Sequence, residues 1–115
     1  MKRGDLVVVD FRNINPPAGV RPALVLQNDR DNARTTKTIV AQVTTNLKRV
    51  GWDTHYLIDV NHPDWSTSGL RRPSVVNGSN LATIEQADVL GVIGSLSAAT
   101  MEEIDLRLKA ALAIR

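Results

Sequence analysis

The sequence predicts a small, mainly β (α+β) fold: a barrel of short, mostly antiparallel strands with an amphipathic helix at the C-terminus. Three observations carry this. Short β-branched runs recur at modest spacing between clusters of Asn, Asp, Gly and Pro, which favours a small barrel over parallel β/α units. A helical period is confined to the last segment. With one Phe, one Tyr and two Trp in 115 residues, the core has to be built from Val, Leu, Ile and Ala.

Leu6-Val7-Val8-Val9-Asp10-Phe11 reads as a largely buried first strand, broken by Asn13-Ile14-Asn15-Pro16-Pro17-Ala18-Gly19, a cluster of turn formers. The second strand starts at Arg21 or Ala23 and runs to Gln27, and the polar stretch Asn28 to Asn32 has no apolar period and reads as a loop. Thr38 to Thr44 is the third strand, followed by a polar loop, Thr45 to Asp53, and a fourth strand, Thr54 to Asp59. Val60 to Pro73 is long and irregular. Ser74 to Asn77 and Ala82 to Ile84 read as two short strands, with another at Val89 to Ile93.

In the closing segment Met101, Ile104, Leu108 and Ala111 or Leu112 recur at steps of three and four, with charged residues between them. Two N-caps fit: Thr100, in the capping-box spacing Thr100-Met101-Glu102-Glu103, or Ser97 one turn earlier. Leu106, Ala110 and Ala113 lie off the stripe and either cover more of the barrel or contact a partner subunit. No repeat, low-complexity tract or linker interrupts the chain, so a single domain over residues 1–115 is expected.

Composition closes several classes of function. Zero cysteines exclude a disulfide scaffold, a thiolate nucleophile and a Cys-ligated metal, and fit a reducing compartment. No signal core precedes the first strand and nowhere do 18 apolar residues follow one another, so a cytoplasmic protein without a membrane partner is expected. Of the two histidines, His62 in His62-Pro63-Asp64 has no second ligand at a workable spacing, and Asp29 and Asp31 flank Arg30 in a solvated turn. Neither metal nor cofactor is expected. The formal net charge is only +2, but it is unevenly spread. Residues 20–50 hold six basic and two acidic side chains, whereas residues 51–70 hold three acids and no base.

What remains is arginine and hydroxyl chemistry. Gly19-Val20-Arg21-Pro22 sets an arginine at the mouth of a strand, after a flexible glycine and before a proline that fixes the chain direction. An arginine held there either stabilises phosphate charge, bidentately and at any working pH, or caps a loop or pairs with an acid such as Asp10. Thr44 ends the third strand, where it either donates its hydroxyl to a phosphate oxygen at the same spot or is a plain β-former.

Four blocks together resemble the MazF/PemK-type toxins of toxin–antitoxin systems. They are Arg3-Gly4-Asp5-Leu6-Val7, Gly19-Val20-Arg21-Pro22-Ala23-Leu24-Val25-Leu26-Gln27-Asn28-Asp29, Ile39-Val40-Ala41-Gln42-Val43-Thr44, and Ile93-Gly94-Ser95-Leu96-Ser97 before the amphipathic segment. The second is the specific one, and the likeness runs almost end to end. It implies an SH3-like, CcdB/MazF-type barrel working as a homodimer, and a metal-independent endoribonuclease that cuts single-stranded mRNA at a short preferred sequence. It further implies that Arg21 and Thr44 are catalytic, with the substrate 2′-hydroxyl as nucleophile and 2′,3′-cyclic phosphate and 5′-hydroxyl ends as products. Arg21 would then stabilise charge first, since a group with a pKa above about 12 is a poor base. The partner implied is a cognate antitoxin with a flexible, acidic segment, which the basic stretch 20–50 suits.

The sequence departs from the family pattern at Ser79-Asn80-Leu81-Ala82-Thr83, where many members carry a Glu-Gln-Ile-Arg-Thr-like segment. Asn80 retains a group that can bind a base or phosphate edge; Ala82 replaces an arginine. Pro16-Pro17 is either ordinary turn chemistry or a stiffened gate over the RNA groove. Lys48, Arg49 and Trp52, in the loop beyond Thr44, combine charge with an aromatic face and read as a substrate wall, with a half-buried rim position the alternative for Trp52. Trp65 reads as a packing anchor, Arg71 and Arg72 as groove residues or a solvated pair, and His55 as an RNA contact or a barrel-edge filler. Two other functions suit the same fold: a CcdB-like gyrase poison, disfavoured because the chain ends Leu112-Ala113-Ile114-Arg115 without a Trp, and an RNA-binding module without catalysis.

Overall fold

The computed structural model describes residues Met1–Arg115. In chain order the elements are β1 (Asp5–Asp10), β2 (Val20–Val25), α1 (Asp29–Arg34), β3 (Lys37–Thr44), β4 (His55–Ile58), α2 (Trp65–Ser68), β5 (Ser74–Glu85), β6 (Val89–Ser95) and α3 (Ala98–Leu112). Short 3₁₀ turns occupy Pro16–Ala18 and Gln86–Asp88. The strands form one six-stranded sheet in the order β4-β5-β3-β2-β1-β6, and every neighbouring pair is antiparallel. No helix is long and apolar enough to cross a membrane.

Successive residues of the central strands enter opposite hydrophobic clusters, which is why these strands read as continuous apolar runs. Leu6, Leu24, Ala41, Val43 and Val76 pack with Met101 and Ile104 of α3. Val7, Val9, Ala23, Val25, Val40 and Ile84 make the second cluster, with Phe11, Ala82 and Val89 against it. Burial of Met101 and Ile104 contributes roughly 1.5–3 kcal/mol each and holds α3 on the sheet. Leu108 adds to the stripe, but Leu112 and Leu106 are exposed. Of the two candidate caps Ser97 is the one used, its hydroxyl accepting from the Thr100 amide at 3.3 Å.

The expected mainly β fold with a C-terminal helix is what forms, with one refinement: β4 and β6 lie at opposite edges of the sheet with no ladder between them, so the barrel is not closed by hydrogen bonds. The α2 segment stands against β6 instead. Gly69 leaves α2 at φ +74, and a Cβ there would collide with the Ile93 carbonyl, while a Cβ on Gly94 would collide with the backbone of Thr67 and Ser68. The same segment is tied to α3 by the buried Asp64 carboxylate, which accepts from the Ser97 amide at 2.8 Å and the Ser97 hydroxyl at 2.9 Å.

Three elements depart from the sequence reading. The stretch Asn28 to Asn32, expected as a loop, is largely α1, capped by the Asn28 side chain on the Asp31 amide. The irregular stretch 60–73 contains α2. The two expected short strands, 74–77 and 82–84, are one strand, β5, carrying a bulge: Gln42 faces Asn77 but Ala41 faces Leu81, so Gly78, Ser79 and Asn80 stand outside the register. Gly78 suits that close approach, since a Cβ would lie 3.0 Å from the Thr54 carbonyl and 3.1 Å from that of Arg107 and would press both backbones apart.

The backbone-to-backbone approach of β6 and α2 predicts that Gly94→Ala is destabilising by about 2 kcal/mol, the scale of core overpacking, and a thermal unfolding scan should show a midpoint lower by roughly 5–10 °C. An unchanged midpoint would mean that α2 is free to move off β6.

Candidate active site

The site is set by the register of β2, β3 and β5. Ala23 pairs with Gln42, Leu24 with Ala41 and Val25 with Val40. Two residues beyond the Ala23–Gln42 pair, in the same register, Arg21 stands level with Thr44 and, by alternation, on the same face. On the other side of β3, Gln42 faces Asn77 and Thr44 faces Val75, and Asn77 in turn faces His55 of β4. A row of polar side chains, Gln42, Asn77 and His55, therefore crosses three strands beside Thr44.

Two clefts open on this face. One, of about 370 Å³, is lined by Gln42, Thr44, Asn46, Lys48, Arg49, His55 and Asn77, with no hydrophobic residue. The other, of about 410 Å³, is lined among others by Arg21, Asn80, Gln42, Pro22, Phe11, Ile14 and Ala82. Gln42 belongs to both. A third cleft, of about 580 Å³, carries Arg71 and Arg72 and is lined by Val8, Pro22 and Thr45, which alternate to the other face of the sheet. The loop Asn13–Ala18 contributes Ile14, Asn15 and Ala18 to the wall of the Arg21 cleft, with Gly19 at φ +65 turning the chain into β2.

Each expected residue can now be located. Thr44, Lys48 and Arg49 share the first cleft; Arg21 and Asn80 share the second. Trp52 lines neither. It is 57% exposed, so the half-buried rim position does not hold, but it supports the first cleft from outside: the Arg49 guanidinium lies over its ring at 4.9 Å and His55 meets it edge-on at 5.8 Å. The Thr44 hydroxyl accepts from the Asn46 amide at 3.1 Å, and the Asn46 side-chain oxygen accepts from the Lys48 amide at 3.1 Å, which orders the start of the loop. His55 both fills the edge, being buried, and faces the cleft. Trp65 packs against the core as expected. His62 is held by Tyr56 and by the Asp64 amide.

Arg21 makes no ion pair. The acid suggested for it, Asp10, is taken by Arg12, whose Nε and Nη2 donate to its two oxygens at 2.8 and 2.7 Å; this pair pulls the Asp10 pKa down to about 2. Of the basic side chains in residues 20–50, Arg34 pairs with Asp31 and Lys37 with Glu85, so the +4 stretch is not one patch. Of the cations without an ionic partner, Arg21 lines one cleft of this face and Lys48 and Arg49 the other, while Arg71 and Arg72 line the third. Gln42 and Asn77 were not singled out in the sequence. A polar residue two before Thr44, inside an otherwise apolar strand, was the signal for Gln42.

An antiparallel six-stranded sheet backed by one helix, with unpaired arginines and a hydroxyl gathered around polar clefts, defines a small α+β protein built to meet a polyanion. The chain belongs to the PemK-like, MazF-like toxins of type II toxin–antitoxin systems, whose family model matches residues 2–112. It is 31% identical to endoribonuclease EndoA of Bacillus subtilis over 99% of this chain and 96% of that one. It is 30% identical to endoribonuclease MazF6 of Mycobacterium tuberculosis over 86% and 88%. Among solved structures it resembles the M. tuberculosis toxin MazF-mt6, with a TM-score of 0.79 at 24% identity over 96% of this chain and 98% of that one. It also resembles a MazE–MazF structure from Deinococcus radiodurans, with a TM-score of 0.75 at 21% identity over 100% and 97%.

Burial lowers the pKa of His55 below its usual value, and Arg49 pushes the same way. The unfolded chain therefore binds this proton at a pH where the folded chain does not, so the contribution is full above the unfolded value of 6.5 and is lost as pH falls through the folded one. Thermal midpoints measured from about pH 7.5 to 5 should fall less steeply in His55→Gln than in the wild type; parallel slopes would assign the acid sensitivity elsewhere.

Proposed function

We propose that this chain is an endoribonuclease toxin that cuts single-stranded RNA, mRNA included, at a short preferred sequence and without a metal ion. The observation that carries this reading is the unpaired Arg21 level with Thr44, each lining one of two clefts that share Gln42, with Lys48 and Arg49 in the Thr44 cleft. In such a site the substrate supplies its own nucleophile. The 2′-oxygen bonds to the adjacent phosphorus as its proton leaves, the bond from phosphorus to the 5′-oxygen breaks, and that oxygen takes up a proton. The products are a 2′,3′-cyclic phosphate and a 5′-hydroxyl. Arg21 neutralises the charge that builds on the non-bridging oxygens, and the Thr44 hydroxyl, whose lone pair already accepts from Asn46, has its proton free to donate to the same phosphate. Lys48 and Arg49 hold the neighbouring backbone, with Trp52 keeping Arg49 in place and offering a face to an unstacked base. Asn80 contacts the strand on the Arg21 side.

The same unpaired cations suit a cognate antitoxin with a flexible, acidic segment laid along the clefts, which would exclude RNA by occupying its charge partners. We place the toxin in the cytoplasm as a homodimer.

Incubation with a long single-stranded RNA in EDTA should give fragments with cyclic-phosphate ends. Arg21→Ala should lower the rate by about 100- to 1000-fold, the scale for removing one preorganised donor from a developing anion. Full activity in Arg21→Ala, or cleavage only with added divalent metal, would overturn the assignment; tight RNA binding without cleavage would favour a binding module. Trp52→Ala should weaken RNA binding by about 1–3 kcal/mol, read as a shift in Kd. Light scattering should give twice the monomer mass at micromolar concentration.

A further inference from the structure

We infer that Asn46 is a positioning residue for the cleavage step: its side chain fixes the turn whose backbone amide holds the Thr44 hydroxyl aimed at the scissile phosphate. This rests on the endoribonuclease reading and adds to it what sets the geometry of the hydroxyl.

Thr44 is lightly held where it stands. It is the last residue of β3, paired with Val75 of β5 on one side, while the ladder to β2 ends at Gln42 opposite Ala23. Its hydroxyl has one hydrogen-bond partner in the protein, the Asn46 amide, which donates to Oγ1 at 3.1 Å. That bond occupies one lone pair and selects the rotation of the side chain, so the direction left to the hydroxyl proton follows from the position of the amide.

The amide depends in turn on the Asn46 side chain. Thr45 and Asn46 make no backbone-to-backbone hydrogen bond, and the first such bond after the strand joins the Val50 amide to the Leu47 carbonyl at 3.1 Å. Across that gap the chain is held by Asn46 Oδ1, which accepts from the Lys48 amide at 3.1 Å. No other side chain of residues 45–53 bonds to the backbone of the loop. The two bonds form a relay, from the Lys48 amide to Asn46 Oδ1 and from the Asn46 amide to Thr44 Oγ1, and Thr44, Asn46 and Lys48 all line the same cleft. Asn46 is exposed, so its replacement opens no cavity, and what is lost with it is the turn. A donor displaced from a developing anion costs rate more than affinity, because the charge it meets grows in the transition state.

The test measures single-turnover cleavage of an oligoribonucleotide that spans a mapped wild-type site, and the Kd of the same strand with a 2′-deoxy residue at the cut, which leaves it without a nucleophile. Asn46→Ala should slow cleavage by about 10-fold, the scale of one hydrogen bond realised in the transition state. Its Kd should shift by no more than about twofold, because Lys48 reaches a phosphate on a flexible stem. Asn46→Ser, whose hydroxyl can accept from the Lys48 amide, should recover most of the rate. In a Thr44→Val background Asn46→Ala should cause no further loss, since its effect passes through the hydroxyl. An unchanged rate in Asn46→Ala, a loss confined to Kd, or an equal loss of rate with and without the Thr44 hydroxyl overturns the inference and leaves the endoribonuclease reading, which Arg21→Ala tests separately, in place. A wild type that cleaves no RNA overturns both.

Discussion

Strand β3 is paired on both sides, with β2 and with β5, and the alternation of its side chains decides what every neighbouring row can hold. Ala41 and Val43 must enter the cluster under α3, because they share it with Leu24, Val76, Met101 and Ile104. Gln42 and Thr44 are thereby forced to the opposite face. A slip of one residue would bury both polar side chains and expose Val43. The register that makes the core is therefore the register that sets Arg21 level with Thr44, and the site needs no separate device to align its strands.

The β5 bulge is where that scheme is bent to a purpose. Three residues leave the ladder between Asn77 and Leu81, so the start of β5 faces β4 and the Thr44 cleft while its continuation faces the Arg21 cleft with Asn80 and Ala82. Gly78 lets the bulge pass close to the Thr54 and Arg107 carbonyls, and its amide donates to the Thr54 oxygen at 2.9 Å, which fixes it to the start of β4. Asn77 and Ser79 complete the turn with a side-chain bond of their own. The polar floor of one cleft and the side wall of the next are thus built from one strand, and their separation is set by backbone rather than by flexible side chains.

The strands and their order of appearance were legible because the central strands bury side chains on both faces, so each announces itself as a dense apolar run. The strand-end positions of Arg21 and Thr44 were legible for a related reason, as polar residues closing such runs, while a role for them came from the likeness to the family. α1 was not, because it buries no apolar stripe: its one buried side chain is Asn32, fixed by polar contacts from Gln27 at 3.0 Å and Thr38 at 2.7 Å, and a helix held that way leaves no hydrophobic period. β5 was read as two strands because the residues between, Gly78-Ser79-Asn80, have the composition of a turn and adopt a bulge. Gln42 and Asn77 gain meaning only from cross-strand register, which a linear pattern does not contain. The charge imbalance of residues 20–50 was a partial guide, since ion pairs remove Arg34 and Lys37 from it and leave Arg21, Lys48 and Arg49 to line the clefts.

The substitution of Ala82 for the arginine seen in many family members has a definite physical meaning in this cleft. Phe11, Ile14, Ala18, Pro22, Val40, Leu81 and Ala82 all line it, and Arg21 is the one charged side chain among them. Arg21 is exposed, so its charge reaches an anion through solvent as well as along the apolar wall, and that attraction weakens with added salt. A second arginine at position 82 would share the anion but would also raise the cost of holding two like charges side by side in the free protein. With alanine there, the electrostatic work in that cleft falls on one residue, and Asn80, Asn15 and Gln42 supply neutral hydrogen bonds around it. The cleft thus presents one fixed charge ringed by neutral amides and an apolar wall, an arrangement set by the register of β2, β3 and the β5 bulge.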